Sequence, residues 1–254
     1  MWLGSVSTAL GLGGDWEPEP TDSACPRCGR SVGPGEVSPD DDRCPGCRPE
    51  KLRWERLIRL GTFEGDLRRA VLETKYARWP RQGELLGEML GRRLAPMLEQ
   101  ESIDPDRVAL VPTPMPWLRR MRRGIDHAST IARGVHRVTG CRVERLLRRR
   151  SGPTQAAVPA SARVANIRRQ ILLSRRTPEN IDLLILIDDV RTTGATLDAC
   201  CRAVRGEFGR SGGARSVRGR VGVGGPDAGA GEVRIWAAVA ATAQERGRRA
   251  ADGS

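Results

Sequence analysis

Leu183-Leu184-Ile185-Leu186-Ile187-Asp188-Asp189-Val190-Arg191-Thr192-Thr193-Gly194-Ala195-Thr196 is the most informative stretch of this 254-residue chain. Its first five residues form an unbroken apolar run, as expected of a central parallel strand buried on both faces. The strand delivers two adjacent carboxylates to its carboxyl end, and a turn of small residues then opens a helix predicted over residues 195–208. Unpaired N–H groups at that helix start, together with the positive end of its dipole, make an anion cup. Gly194 lets the backbone approach a phosphate closely, and Thr192, Thr193 and Thr196 add hydroxyl donors. Two acids beside such a cup make sense when the ligand also offers hydroxyls or a bound Mg²⁺. A ribose 5-phosphate supplies both. An ordinary strand-to-helix turn explains the acids or the threonines separately, as caps and turn formers, but not the whole string.

Working outward, residues 107–111 read as a strand ended by Pro112, and residues 117–139 as a helix with the buried stripe Ile125, Ala128, Ile131, Ala132, Val135 and Val138, stopped at Gly140. A strand is expected over 143–147, then an Arg-, Ser- and Pro-containing stretch to about Asn166, then apolar 167–173. Residues 209–231 are rich in Gly and Arg without periodicity, a flexible insertion ahead of a strand over 233–241. Upstream, residues 65–76 and 84–100 carry helical apolar spacing, with Pro96 expected to kink or end the second helix. Strands alternating with helices indicate an α/β protein with a mostly parallel sheet flanked by helices. The expected organisation is a disordered tail (1–22), a zinc ribbon (23–50), a catalytic-type domain (51–242) and a second tail (243–254). That domain divides into a helical segment (51–104) and a core (105–242).

Cys25-Pro26-Arg27-Cys28 and Cys44-Pro45-Gly46-Cys47 are two CxxC knuckles separated by fifteen residues, the spacing of a four-thiolate zinc ribbon. With all four positions filled by Cys25, Cys28, Cys44 and Cys47, the Zn²⁺ is structural. Redox pairs usually come singly on a thioredoxin-like helix, which is missing. Cys141, Cys200 and Cys201 read as packing residues. The segment between the knuckles holds Glu36, Asp40, Asp41 and Asp42 against Arg30 and Arg43, so this finger is expected to brace the main domain or bind protein, not to be the main DNA contact.

Composition excludes several classes. Two histidines, His127 and His136, are too few for a multi-His metal site, and no nucleophile signature accompanies them. Aromatic residues at 4% argue against base-stacking platforms. The net charge of +12 attracts anions, although only Lys51 and Lys75 among 43 basic residues are lysine, an arginine skew that a GC-rich coding sequence also produces. No apolar run approaches the roughly 20 residues of a spanning helix. Paired, odd-numbered cysteines point to a reducing compartment, hence the cytoplasm.

The 183–196 string resembles the signature of type I phosphoribosyltransferases, which bind 5-phosphoribosyl 1-pyrophosphate (PRPP) with Mg²⁺. The resemblance implies that fold, with Asp188 and Asp189 on the ribose 2- and 3-hydroxyls and Thr192, Thr193, Gly194, Ala195 and Thr196 on the 5-phosphate. Many purine-specific members carry an acid where this chain has Thr192, which weakens a purine-salvage reading. Val111-Pro112-Thr113-Pro114, Arg122-Arg123-Gly124-Ile125-Asp126-His127-Ala128, Thr154-Gln155 and Arg163-Val164-Ala165-Asn166 occur in the order found in ComF-family proteins, and Lys75-Tyr76 matches their upstream helix. The match covers most of residues 25–241. Ile125, Asp126 and His127 replace the family's usual aromatic, Asn and Gln, and the 209–231 insertion is longer than usual. The resemblance directs the first loop, with Pro112, Thr113, Arg123 and Gly124, at the pyrophosphate half of PRPP, Arg123 neutralising the leaving oxygens; Arg119, Arg120 and Arg122 cluster beside it. It implies phosphoribosyl transfer to an unidentified acceptor or, alternatively, a non-catalytic adaptor in DNA uptake and competence. In the second case arginines at 119–123, 145–150 and in the insertion would carry single-stranded DNA or meet DNA-uptake proteins.

Overall fold

The computed structural model describes residues 8–12, 16–76, 80–115, 125–150, 170–206 and 233–243. Its elements are β1 (Arg56–Thr62), α1 (Gly65–Tyr76), α2 (Arg81–Gln100), β2 (Val108–Pro112), α3 (His127–Thr139), β3 (Arg142–Val143), β4 (Leu147–Arg149), β5 (Ile171–Leu173), β6 (Leu183–Arg191), α4 (Ala195–Val204) and β7 (Arg234–Thr242). Five strands form one sheet in the order β1-β7-β6-β2-β3, every neighbouring pair parallel. The fold is the expected α/β class, with helices on both faces of the sheet and the four cysteines gathered near the N-terminus.

Connection direction decides which face each helix covers. Parallel crossovers are right-handed, so connections running opposite ways along the sheet drop their helices on opposite faces. The chain moves one way from β1 to β2 and from β2 to β3, and α1, α2 and α3 share a core with Leu60, Val108, Leu110, Leu183, Ile185 and Trp236. It moves the other way from β3 to β6 and from β6 to β7. The antiparallel β4–β5 pair and α4 accordingly pack on the second face, against Val111, Leu184, Leu186, Ala237 and Val239. On the first face α2 and α3 approach so closely that a Cβ on Gly87 would lie 2.0 Å from the Ile131 carbonyl oxygen, and one on Gly134 1.9 Å from that of Glu84.

Several expectations are corrected. Segment 51–104 is not wholly helical, because residues 56–62 form edge strand β1 alongside β7. Arg59 interrupts the apolar run there, yet its side chain is 1% exposed and ion-paired with Glu19 at 2.5 Å. That pairing also overturns a disordered tail through residue 22. Glu19 accepts from the Thr62 amide at 2.7 Å, its own N–H donates to Leu60 at 2.8 Å, and Leu10 and Leu12 are buried in the first core. Helix α2 begins at Arg81 and continues past Pro96 to Gln100, with Pro96 on its exposed side. The helix expected from 117 is interrupted at residues 125–126, and α3 starts at His127, where the Asp126 carboxylate accepts from the Ser129 amide and caps it; residues 117–124 lie outside the described residues. The strand expected over 143–147 is divided between β3 and β4. Strand β6 runs on through the acids to Arg191, and α4 ends at Val204. The 209–231 insertion, the stretch 151–169 and most of the C-terminal tail lie outside the described residues.

Candidate functional site

From β2 the chain turns outward one way and from β6 the other, so the carboxyl ends of these adjacent strands form a topological switch point, the usual ligand crevice of an open parallel sheet. Their registers differ in length. Strand β2 pairs with β6 only as far as Pro112 opposite Ile187, while β6 continues against β7 to Arg191 opposite Thr242. Asp188 and Asp189 therefore emerge just where β2 stops, both half-buried. Asp188 accepts from the Asp189 amide at 2.9 Å, and Asp189 from the Val190 amide at 2.7 Å. Burial, then the negative charge of Asp189, pushes the Asp188 carboxyl up to about 8 against the opposing pull of the Thr113 hydroxyl.

The turn after β6 is short. Thr192 and Thr193 are exposed, Gly194 is buried in the left-handed region at φ 76°, and α4 starts with no side-chain cap. The Ala195 amide donates to the Thr193 hydroxyl at a long 3.3 Å. Among the described residues, the amides of Thr192, Thr193, Gly194 and Thr196 have no hydrogen-bond partner. A Cβ on Gly194 would be strained by its φ and would sit 3.0 Å from the Trp54 ring, so this position demands glycine twice over.

Thr113 belongs to the site by a different route from the expected one. Its amide extends the sheet by donating to Ile187 at 2.9 Å, and its buried side chain favours the ionised form of Asp188. Pro112 lies within β2 and has no N–H to offer. Beyond them a cleft of about 190 Å³ is lined by Pro114, Met115, Ser129, Arg145, Arg148 and other residues. Arg145 and Arg148 are exposed along it. Arg123 and Gly124, with the neighbouring arginines 119, 120 and 122, lie outside the described residues, as do Thr154, Gln155 and residues 163–166. Arg191, Glu50 and Trp54 escaped the sequence reading; the only sign of the first was an arginine set between the acids and the threonines.

Near the N-terminus of the chain the four predicted cysteine ligands come together. Their sulfurs all lie within 4.8 Å of one another, buried, with Cys25 to Cys47 and Cys28 to Cys44 each at 3.7 Å. A tetrahedron of Zn–S bonds of about 2.3 Å has S···S edges of roughly 3.8 Å, so the set fits Zn²⁺. The Arg30 amide points at Cys28 Sγ, 3.5 Å away, as ligand-orienting amides do. Burial, then the neighbouring Cys25 and Cys44 sulfurs, pushes the Cys47 thiol up to about 12, and the Cys28 thiol is raised by its bond with Cys25 and by burial. Four packed sulfurs can ionise together only around a cation.

No family model matches the chain, and no curated protein matches it. Among the described residues no helix is long and apolar enough to cross a membrane.

Proposed function

We propose that this chain binds PRPP, or a related ribose phosphate, with Mg²⁺ at the carboxyl ends of β2 and β6, and transfers the phosphoribosyl group to an acceptor with release of pyrophosphate. The observation that carries this reading is the turn of bare amides at Thr192–Gly194 set beside two half-buried carboxylates at the switch point. A purely anionic ligand would be repelled by the acids, and a purely hydroxylic one would leave the amides unmatched. A phosphorylated sugar satisfies both. The ComF-like motifs of the sequence point the same way.

In this reading the 5-phosphate takes the amides and hydroxyls of Thr192–Thr196, and Asp188 and Asp189 accept from the ribose 2- and 3-hydroxyls. The C1–oxygen bond breaks with its electron pair leaving on pyrophosphate. The lone pair of the acceptor, a nitrogen or water, then forms the new bond to C1 and the acceptor gives up a proton. Rate enhancement comes from positioning and from charge stabilisation at the leaving group, the part assigned to Arg123. Thr113 holds Asp188 in place. The reduced four-thiolate centre supports a cytoplasmic setting.

Titration calorimetry with PRPP and Mg²⁺ tests the reading. The wild-type chain binds and Asp189→Ala loses binding by at least a hundredfold; equal affinity in the two proteins would overturn it. A screen for pyrophosphate release over candidate acceptors then identifies the nucleophile.

A further inference from the structure

The two halves of the molecule that carry chemistry are wired together. Trp54 is 2% exposed, and its indole N–H donates at 2.8 Å to the carbonyl of Arg27, inside the first cysteine knuckle. The far edge of the same ring floors Gly194, as the 3.0 Å approach to a Cβ there shows. A second route runs beside it. Arg30 donates to Gly46 of the second knuckle and, at 2.5 Å, to Glu50; the other oxygen of Glu50 takes Arg191, whose side chain is 1% exposed, at 3.2 Å. Arg191 immediately precedes the turn. Just after it, Asp198 in the first turn of α4 faces Arg53 at 3.5 Å. Residues 50–54, leaving the second knuckle, thus grip the turn before, beneath and behind. A separate group of bonds joins the knuckles to the sheet itself: the Leu57 amide to Pro26 at 2.7 Å, and the Thr242 hydroxyl to Gly29 at 2.7 Å.

We infer that the four-cysteine centre sets the shape of the Thr192–Gly194 turn through Trp54 and the Arg30–Glu50–Arg191 chain, so that metal occupancy governs sugar-phosphate affinity. A brace for the sheet alone would need only the Pro26 and Gly29 bonds. A buried tryptophan whose polar end reads one site and whose apolar end shapes the other does more than fill space. A cavity at the position of Trp54 would let Gly194 relax, and a knuckle without its ion would no longer fix the Arg27 carbonyl. Trp54, Glu50 and Arg191 are positioning residues, acting on the turn and not on the proposed ligand. The consequence for affinity rests on the ribose phosphate reading above; the consequence for the turn does not.

The test compares metal-loaded and chelator-stripped protein, with Trp54→Phe and Glu50→Gln made in the metal-loaded chain and Thr242→Val as the control on the sheet bonds. Hydrogen exchange is followed at the Asp198 amide, which donates to the Gly194 carbonyl at 2.9 Å, and at the amides of Leu184–Leu186 as reference. Ribose 5-phosphate and PRPP with Mg²⁺ are the calorimetric probes. Expected are exchange at least tenfold faster at Asp198 and about tenfold weaker binding on stripping and in both variants, with the β6 reference protected and Thr242→Val like wild type in both readouts. Protection and affinity unchanged in Trp54→Phe and Glu50→Gln would overturn the inference, even if stripping unfolds the chain. Failure of the wild type to bind either probe would instead sink the ribose phosphate reading, with exchange at Asp198 still deciding the coupling.

Discussion

Strands β2 and β6 lie side by side, end at the same crevice and each lead to a helix, but the two helices begin in opposite ways. Helix α3 is capped by its own chain: Asp126 accepts from Ser129, and Ser129 and Thr130 are buried behind it. Helix α4 begins at a left-handed glycine with no side-chain cap, after exposed threonines whose amides have no partner among the described residues. Bare amides and a carboxyl forced towards neutrality are both destabilising, by amounts a side-chain cap of about 1 kcal/mol would partly recover. One helix start is built for stability. The other leaves its donors open among the described residues.

The largest test of that contrast sets Gly194→Ala against Gly140→Ala. Both glycines are left-handed, at φ 76° and 75°, but a Cβ on Gly140 meets nothing within 4 Å while one on Gly194 meets Trp54 at 3.0 Å. Gly140→Ala is expected to cost about 1 kcal/mol by denaturant unfolding, the left-handed penalty alone, with ribose 5-phosphate binding intact. Gly194→Ala should cost about 3 kcal/mol, strain and crowding together, and reduce binding at least a hundredfold. Equal behaviour of the two variants would show that the α4 turn is nothing more than a turn.

Asp188→Asn comes next, and its effect has a sign. The carboxyl is raised from an unfolded value near 3.9 to about 8 in the fold. Its stabilising contribution is therefore complete below about pH 4 and disappears as pH rises through about 8. The carboxamide of the variant, neutral at every pH, would avoid that loss: Tm should exceed wild type by several degrees at pH 9 and match it near pH 4. Sugar-phosphate affinity should fall about thirtyfold in the same variant. In wild type, binding that needs the ionised acid should strengthen from pH 6 to pH 9. A variant less stable than wild type at pH 9 would mean that Asp188 serves the scaffold.

How much of this was legible in the sequence differs by kind of interaction. Local strings carried their own meaning: the apolar run 183–187 became the sheet centre and the four cysteines assembled as their spacing required. What failed depended on partners far along the chain. Strand β1 was hidden because Arg59 breaks its pattern, and Glu19, 40 residues earlier, together with the hydroxyls of Ser31 and Thr242, makes that arginine buriable. Glu19 itself read as tail for the same reason. The start of α3 was misplaced because apolar spacing ran on past Asp126, whose cap depends on backbone geometry. At the site, the acids and threonines were found, whereas Trp54, Glu50 and the hydroxyl of Thr113 act on it from elements whose proximity no spacing encodes.

The smallest effects probe the comparison most finely. Thr193 lies one residue before the N-cap Gly194, and its hydroxyl accepts from Ala195 at 3.3 Å, about as long as the bond from Ser129 to Asp126. If the two were equivalent caps, removing either would cost the same. A neutral hydroxyl exposed to water should give far less than a carboxylate beside a helix dipole. Asp126→Ala is expected to lower stability by about 1 kcal/mol, a drop in Tm of roughly 3 °C. Thr193→Ala should change stability by less than about 0.5 kcal/mol and weaken ribose 5-phosphate binding about threefold, the share of one hydroxyl donor among several amides. Matching losses of stability with no change in binding would make Thr193 a second Asp126, and the two helix starts would then differ only in the quality of their caps.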